Sequence, residues 1–249
     1  AAQVMDMHGP MTIGAKTYFA QTDAMKGTLK DTLIDCEPTI FFGVPRVWEK
    51  FAEGMKKVAR TKPALVQGIS NFCKGIALEK NRKAQFGEDQ SIPCMFSCAS
   101  AFLSVVHKAI GLGKVKACFT AAAPIAKETL EYFASLNIPV YEVFGQSECT
   151  GPHTVSHAGA WRIGYCGRPL KGTVTKIGPG RELCYGGRHI FMGYMYNPEK
   201  TVDTFDAEGF LRSGDIADFE IGAAHQHNFL HPVDNIWRLP EGRRDIGQR

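Results

Sequence analysis

The sequence predicts an α/β protein in which a parallel β-sheet with flanking helices is joined to a β-rich subdomain. Residues 115–120 and 138–144 have the short apolar pattern of buried strands, and a helical pattern with Leu130 and Phe133 lies between them. A strand–helix–strand unit of this kind joins parallel strands through a right-handed crossover. Beyond residue 155, short runs separated by glycines are typical of antiparallel strands.

Composition limits the classes of protein that fit this chain. Its 249 residues are 44% hydrophobic and 22% charged, which suits a globular protein with a sizeable core. The net charge of +4 indicates no nucleic-acid partner, and no protein partner is evident. No apolar run reaches 18 residues, and no signal peptide is visible. The eight scattered cysteines favour reduced thiols. We therefore expect a cytoplasmic protein, with peripheral contact with the endoplasmic reticulum or other membranes left open.

The first part of the chain is predicted to place helices around one strand. Residues 28–34 fit a short helix, and residues 39–44 fit a strand that ends at Pro45. From residue 47 onward apolar residues recur at helical spacing. The residues of that helix predicted to face the core are Val47, Trp48, Phe51, Met55 and Val58. Residues 102–110 fit a later helix that ends at Gly111.

Residues 64–83 predict a second amphipathic helix. Its residues predicted to face the core are Leu65, Ile69, Phe72, Ile76 and Ala77. Its polar side carries Lys74, Lys80, Arg82 and Lys83. A basic helix face can contact anionic lipid, although solvated lysines are the commoner case. The polar residues 87–93 that follow predict a loop.

Two polar turns follow the two strands of the strand–helix–strand unit. Residues 121–124 (A-A-A-P) come first, with Pro124 suited to the first turn of the helix and Asn137 to a left-handed helix end. Residues 145–148 (G-Q-S-E) follow the second strand; in a plain turn, Gly145 would have a positive φ and the Glu side chain would be solvated. Since the carboxyl ends of parallel strands meet at one edge, both turns are predicted to face one ligand-binding crevice.

The remaining chain divides into a β-rich part and a tail. Residues 163–168, 172–177 and 182–192 predict antiparallel strands of a subdomain that spans about 155–215. Residues 221–249 show no clear periodicity, and we expect this tail to be poorly ordered. The rest, residues 1–220, is predicted to be one continuous folded part.

Several segments resemble the adenylate-forming, or AMP-binding, superfamily. They are F-T-A-A-A-P at residues 119–124 and V-F-G-Q-S-E-C-T-G-P-H-T at residues 143–154. The segments G-V-P-R-V-W-E-K at 43–50, E-L-C-Y-G-G-R-H-I-F-M-G-Y-M at 182–195 and D-A-E-G-F-L-R-S-G-D at 206–215 are also similar to stretches of that superfamily. The chain looks most similar to bubblegum-type long-chain fatty acyl-CoA synthetases. The resemblance stops, on this reading, at about residue 221.

The resemblance implies a set of site residues in the large N-terminal domain of adenylate-forming enzymes. It implies that Glu148 holds Mg²⁺ and that the Ser147 hydroxyl meets the α-phosphate, so both are expected to be catalytic. It implies that the Asp215 carboxylate accepts hydrogen bonds from two ribose hydroxyls, which suits its chemistry. The implied nucleotide-binding residues are Ala121, Ala122, Ala123, Pro124, Glu142, Val143, Phe144, Gly145, Gln146, Ser147 and Asp215.

Four positions depart from the family pattern. Ser147 replaces a threonine and keeps a hydroxyl for the α-phosphate. Phe144 replaces a tyrosine but keeps a ring that could stack on adenine. Ala121 replaces a glycine, and its Cβ would crowd the backbone if that position needs a positive φ. Arg181 replaces the glycine that precedes Glu182.

The resemblance also implies a reaction. A long-chain fatty acid would be joined to CoA with ATP and Mg²⁺, through an acyl-adenylate and release of AMP. The family's phosphate loop and its small C-terminal domain would lie outside this sequence, so we expect the chain to be inactive alone. A truncated nucleotide- or partner-binding protein without catalysis is one alternative. An α/β-hydrolase-like esterase is another, since residues 145–149 come within one residue of G-x-S-x-G.

Overall fold

A computed structural model describes residues 4–85, 91–221 and 235–238, and its centre is a five-stranded mixed sheet. The strand order is β1-β2-β3-β4-β5. The strands are β1 (Ile40–Phe42), β2 (Ala117–Thr120), β3 (Val140–Gln146), β4 (Gly151–Val155) and β5 (Arg168–Pro169). The first three are parallel, whereas β4 and β5 add to the sheet in antiparallel fashion. The predicted α/β class is confirmed.

The predicted strand–helix–strand unit is present as β2, α6 (Lys127–Ser135) and β3. Cys118 pairs with Val140 in the parallel register, and α6 packs in the core beside them. The prediction that Pro124 begins the helix is wrong, because the backbone stays extended up to Ala126 and turns helical only at Lys127. Asn137 has φ 57°, which confirms the predicted left-handed helix end.

Helices cover the parallel part of the sheet. They are α2 (Leu29–Cys36), α3 (Pro45–Arg60), α4 (Ala64–Lys83) and α5 (Phe96–Ala109), whereas α1 (Gly9–Ile13) near the start of the chain has no buried residue. Trp48 of α3 is fully buried, as predicted; its indole N–H donates to Gly43 O over 2.9 Å, and its ring packs edge-on against Phe133 of α6. Buried Trp N–H groups need such a partner, so this residue is explained by packing.

The predicted core faces of α3 and α4 are partly wrong. Leu65, Ile69 and Phe72 are 76%, 44% and 57% exposed. Smaller side chains, Cys73, Ala77 and Asn81, are the buried ones, and the Asn81 amide donates to the carbonyl of Ala134 in α6 over 2.8 Å. Small residues let neighbouring helices approach closely, so α4 turns this side inward and leaves its bulky apolar residues outside. Val58 of α3 is likewise exposed. Residues 87–90 of the predicted loop lie outside the described residues.

A separate antiparallel sheet contains β6 (Thr173–Ile177), β7 (Glu182–Gly187) and β8 (Leu211–Ile216), and α7 (Pro198–Thr204) lies between its last two strands along the chain. The predicted antiparallel run at 163–168 differs from the observed one, because β5 pairs with β4 in the main sheet. A second apolar core joins the two sheets. Its buried members are Phe144, Cys149, Cys166, Leu183, Tyr185, Leu211 and Ala217.

Part of the tail is paired with the chain before it. Strand β9 (Asp218–Ile221) pairs antiparallel with β10 (Asn235–Arg238), and the expectation of a poorly ordered tail stays a prediction. Residues 222–234 and 239–249 lie outside the described residues. Among the helices that the structure describes, none combines the length and apolarity needed to cross a bilayer.

Candidate functional site

The candidate site begins where β3 ends, at Gly145. A Cβ built there would lie 1.9 Å from the carbonyl oxygen of Gly151 and 2.8 Å from Pro152 Cα. The register of β3 against β4 also shifts at this point. Gly145 is not among the glycines with a positive φ, so the expectation of a left-handed turn there is wrong. Glycine is needed because the β4 backbone comes too close for any side chain.

A 3₁₀ turn, Ser147–Cys149, follows and exposes Ser147. The Cys149 thiol is buried beneath it. Its sulfur accepts a hydrogen bond from the Gln146 N–H over 3.1 Å and donates to Gly151 O over 3.2 Å. Burial raises the pKa of this thiol, which keeps it protonated and able to donate. Cys149 therefore closes the turn that presents the polar side chains.

Glu148 is half-buried and held by a loop, which differs from the solvated side chain of a plain turn. Its Oε1 accepts a hydrogen bond from the Tyr194 hydroxyl over 2.8 Å, and its carbonyl accepts one from Phe191 N over 2.8 Å. Next to it, the Thr150 hydroxyl donates to His189 O over 2.7 Å. The segment 189–194 thus fixes the orientation of the carboxylate.

Asp215 reaches the same turn from the other sheet. The amide nitrogen of Gln146 donates to Asp215 Oδ2 over 3.0 Å and to Ser213 O over 2.8 Å. Two of the segments that resemble the superfamily, G-Q-S-E and S-G-D, are therefore in direct contact through one side chain. Glu148 lies two residues further along the chain from Gln146.

The other predicted nucleotide-binding residues differ in exposure: some are open to a ligand, and others are covered by protein. The turn 121–124 follows β2 beside β3, where Thr120 pairs with Glu142. The residue with a positive φ is Ala122, at 77°, so the replacement of glycine at Ala121 causes no backbone strain. Ala123 and Pro124 are exposed.

Three predicted residues on β3 have their side chains engaged by protein. The Glu142 carboxylate accepts a hydrogen bond from Gly164 N over 2.8 Å, and Val143 is buried. Phe144 is 6% exposed and packs edge-on against Tyr185. The ring face expected to stack on adenine is thus covered in this structure, and that role stays a prediction.

A buried polar cluster supports the turn from below, and the sequence patterns did not reveal it. The Tyr185 hydroxyl donates to Gln146 Oε1, and its ring stacks on His153 at 4.3 Å between centroids. The two ring nitrogens of His153 contact His189 Nε2 at 3.1 Å and Thr175 Oγ1 at 2.9 Å. Burial, and secondarily the neighbouring His189, lower the pKa of His153 to about 3, so the ring is neutral at physiological pH.

The structure offers a metal ion one carboxylate rather than a complete protein site. In the described residues no group of three or more His, Cys, Asp or Glu side chains could hold a metal. A single oriented carboxylate at Glu148 suits Mg²⁺, which commonly takes one or two carboxylates together with waters and phosphates. The residues present therefore fit a magnesium ion that arrives with a nucleotide.

The hydrolase alternative lacks its base. Both ring nitrogens of His153 are engaged by Thr175 and His189, and no described histidine forms a hydrogen bond with Ser147. A serine nucleophile needs a histidine within hydrogen-bond reach. Cys149 also stands where the nucleophile elbow requires glycine.

Comparison with known proteins gives an independent view of the chain. The family described as AMP-binding enzyme matches residues 1–195. The long-chain-fatty-acid–CoA ligase ACSBG2 of Gallus gallus is 48% identical over 246 residues, which cover 96% of this chain and 31% of that protein. The ligase ACSBG1 of Mus musculus is 36% identical over 222 residues, which cover 87% of this chain and 30% of that protein. The chain thus spans about a third of the length of these relatives.

Solved structures agree on the fold. A malonyl-CoA ligase with methylmalonyl-CoA and AMP bound has a TM-score of 0.56 at 19% identity, and it covers 98% of this chain and 41% of that one. The anthranilate CoA ligase AuaEII with anthranoyl-AMP has a TM-score of 0.57 at 15% identity, and it covers 94% and 36%. The 96% coverage by the Gallus relative leaves too few residues for all of 221–249 to be unmatched, so the expectation that the resemblance stops at 221 is wrong.

Proposed function

We propose a function from the premise that this chain belongs to the AMP-binding enzyme family. The whole protein would be an ATP-dependent ligase that joins long-chain fatty acids to CoA, and this chain would supply most of its nucleotide site. The names of the relatives support this substrate class. Residues 1–220 would be the central and C-terminal part of the AMP-binding domain, with about 155–215 as its β-rich subdomain.

One observation carries the proposal. The side chain of Gln146 joins the turn after β3 to Asp215 of β8, at the carboxyl end of a parallel strand. Ligands of open α/β sheets bind at that edge. A carboxylate for the ribose, Asp215 of β8, is thereby brought to the turn that carries a carboxylate for the metal, Glu148. Neither a structural turn nor a hydrolase elbow requires this pairing.

The proposed reaction has two steps that balance. An oxygen of the fatty-acid carboxylate attacks the α-phosphorus of ATP, the bond between the α-phosphorus and the bridging oxygen breaks, and pyrophosphate leaves. The CoA sulfur, having lost its proton, then attacks the acyl carbon, and AMP leaves with the electrons of the broken carbon–oxygen bond. Charge accumulates on the phosphate oxygens in the first step, so positioned polar groups lower that barrier.

Each residue of the site has a role in these steps. Asp215 would accept hydrogen bonds from the ribose hydroxyls, and the exposed hydroxyl of Ser147 would donate to the α-phosphate. The backbone of residues 121–124 would line the adenine. Glu148 would hold Mg²⁺, which when bound would offset the negative charge of the phosphates. The Tyr194 hydroxyl would keep that carboxylate in place.

We also propose a cytoplasmic location with peripheral contact with the endoplasmic reticulum or another membrane. The supporting feature is the apolar stripe of α4, defined as Leu65, Ile69 and Phe72, which is exposed. Residues 54–78 around it contain five basic residues and no acidic one. Apolar side chains bordered by basic ones are typical of surfaces that bind anionic lipid.

The nucleotide site can be tested by calorimetric titration of the 249-residue chain with a non-hydrolysable acyl-adenylate analogue in the presence of Mg²⁺. We expect binding that Asp215→Ala weakens by about tenfold or more, because a charged acceptor of two hydrogen bonds is lost. Asp203→Ala on α7 is the matched control, since Asp203 lies on an exposed helix surface. Equal affinity of the wild type and Asp215→Ala would refute the site.

A further inference from the structure

The side-chain amide of Gln146 is fully engaged. Its nitrogen donates to Asp215 Oδ2 and to Ser213 O, and its oxygen accepts from the Tyr185 hydroxyl. The orientation of the amide is fixed by chemistry, because the reverse orientation would place its oxygen against two acceptors. One side chain of β3 thus ties the end of β8 to a buried residue of β7.

Asp215 sits in an irregular part of β8. Glu182 pairs with Ile216 and Cys184 with Arg212, so the three residues 213–215 lie opposite the single residue Leu183. Such bulges redirect side chains out of the regular alternation. The Glu182 carboxylate accepts a hydrogen bond from Gly214 N over 3.0 Å, which fixes the bulge backbone. The bulge sets where Asp215 lies, and the contact with Gln146 bears on how its carboxylate is turned.

We propose that Gln146 is a positioning residue that turns the Asp215 carboxylate toward the two hydroxyls of a ribose, and that Tyr185 in turn fixes Gln146. The inference rests on the proposed function, since it takes the ligand to be a ribonucleotide. Gln146 acts on the ribose through Asp215 and not by direct contact.

Tyr185 is suited to its part. It is fully buried, and burial raises the pKa of its hydroxyl, so the group stays a donor at all physiological pH values. Its ring is held between Phe144 and His153. A donor on one side and two acceptors on the other leave the Gln146 amide one favourable orientation. Because linked hydrogen bonds that are partly shielded from water polarise one another, loss of the Tyr185 hydroxyl should also loosen the contact with Asp215.

If Gln146 positions Asp215, its removal should lower affinity only for nucleotides that carry the ribose hydroxyls. Removal of the Gln146 amide should reduce only the part of the affinity that comes from the ribose hydroxyls. AMP and 2′,3′-dideoxyadenosine monophosphate differ in those hydroxyls alone. A role in packing would instead weaken binding of both nucleotides alike.

The test is calorimetric titration of the 249-residue chain with both nucleotides. We expect the wild type to prefer AMP by about tenfold or more, since hydrogen bonds to a charged group are lost with the dideoxy form. Gln146→Leu should remove most of this preference and leave the affinity for the dideoxy form within about twofold. Tyr185→Phe should fall between the two. Gln146→Met, which keeps the length of the side chain without its donors, should repeat the effect if Gln146→Leu folds poorly.

A second measurement separates this inference from the proposed function. In ¹⁵N spectra without nucleotide, the Gln146 side-chain amide signals should shift in Asp215→Asn. If they shift but neither nucleotide binds, the proposed function fails and the ribose assignment fails with it. If AMP is preferred but the signals do not shift, or if Gln146→Leu keeps the preference, the inference alone is overturned.

Discussion

The hydroxyl of Tyr194 donates a hydrogen bond of 2.8 Å to Glu148 Oε1, across 46 residues of sequence. Burial, with this hydrogen bond as a further cause, raises the pKa of Tyr194, so the hydroxyl remains a donor. The same segment binds the backbone of Glu148 through Phe191 N. The carboxylate is therefore oriented by protein contacts alone, before any metal ion or nucleotide binds.

We expect this contact to matter for metal-dependent binding. Tyr194→Phe should weaken the binding of Mg²⁺ with α,β-methylene ATP by about tenfold, the usual effect of removing a group that orients a metal ligand. Glu148→Gln should remove the Mg²⁺-dependent gain in affinity altogether. Titrations with Mg²⁺ and with EDTA measure both effects. Tyr196→Phe is the matched control, because Tyr196 is 95% exposed in the same loop. If Glu148→Gln binds as tightly as the wild type with Mg²⁺, Glu148 is not the metal ligand.

The buried histidine should make stability depend on pH. The folded pKa of His153 is about 3, below its ordinary value of 6.5, so the unfolded chain binds the proton first as pH falls. Stability is therefore fully present above about pH 6.5 and is lost as pH decreases toward 3. The loss from this one group is about 1.4 kcal/mol per pH unit within that window. His189, whose pKa burial also lowers, acts in the same direction.

Urea unfolding between pH 4.5 and 7.5 measures this dependence. We expect His153→Gln, which keeps hydrogen-bonding groups but does not titrate there, to flatten the slope. His157→Gln should leave it unchanged, because His157 is exposed. An equally steep slope for His153→Gln would mean that other groups cause the acid sensitivity.

Close backbone packing at Gly145 should make it intolerant of substitution. Gly145→Ala places a Cβ 1.9 Å from Gly151 O, and neither backbone segment can move without breaking the β3–β4 pairing. We expect a loss of at least about 3 kcal/mol in the free energy of unfolding. Gly75→Ala in α4, where nothing lies within 4 Å, should instead be neutral or stabilise by up to about 1 kcal/mol. An unfolding midpoint for Gly145→Ala equal to that of the wild type would show that the β4 backbone can move aside to accommodate the Cβ.

The sequence predicted the helices and strands better than it predicted which of their faces pack against other elements. The parallel strands β2 and β3 and the bounds of α4 followed from local apolar patterns, which depend on residues close in the chain. The buried face of α4 did not follow, because α4 buries the small residues Cys73 and Ala77 and turns its larger apolar residues outward. Which side of a helix is covered depends on its partner, and periodicity alone does not name that partner.

For the candidate site, the sequence likewise predicted the functional carboxylates but not the side chains that hold them. The motifs named Glu148 and Asp215, whereas the order of strand and helix predicted only that the turns 121–124 and 145–148 would share one edge of the sheet. The hydrogen bonds that hold these carboxylates were not predicted: Tyr194, in a loop, contacts Glu148, and Gln146, at the end of β3, contacts Asp215 and is itself contacted by Tyr185 of β7. The one available signal was that Tyr185 and Tyr194 both lie within the segment 182–195 that resembles the superfamily.

The exposed stripe of α4 leads to the last prediction. Leu65, Ile69 and Phe72 recur at i, i+4 and i+7, so they lie along one side of the helix. The corner between α3 and α4 is firm, because the Gln67 amide donates to Lys62 O over 2.7 Å. It presents three exposed cations beside the stripe, namely Lys57, Arg60 and Lys62. Each cation near an anionic surface contributes about 1 kcal/mol, which complements burial of the apolar side chains.

We therefore expect the chain to co-sediment with vesicles of phosphatidylcholine and phosphatidylserine and to bind pure phosphatidylcholine much more weakly. Phe72→Ser and Lys62→Gln should each lower binding to the mixed vesicles by several-fold, and 0.5 M salt (roughly a 4 Å Debye length) should lower it further. Val202→Ser is the matched control, since Val202 is 73% exposed on α7, away from the cationic corner. Binding that does not depend on phosphatidylserine, or that Phe72→Ser leaves intact, would refute lipid binding by the stripe, because that binding requires both the cations and the apolar side chains.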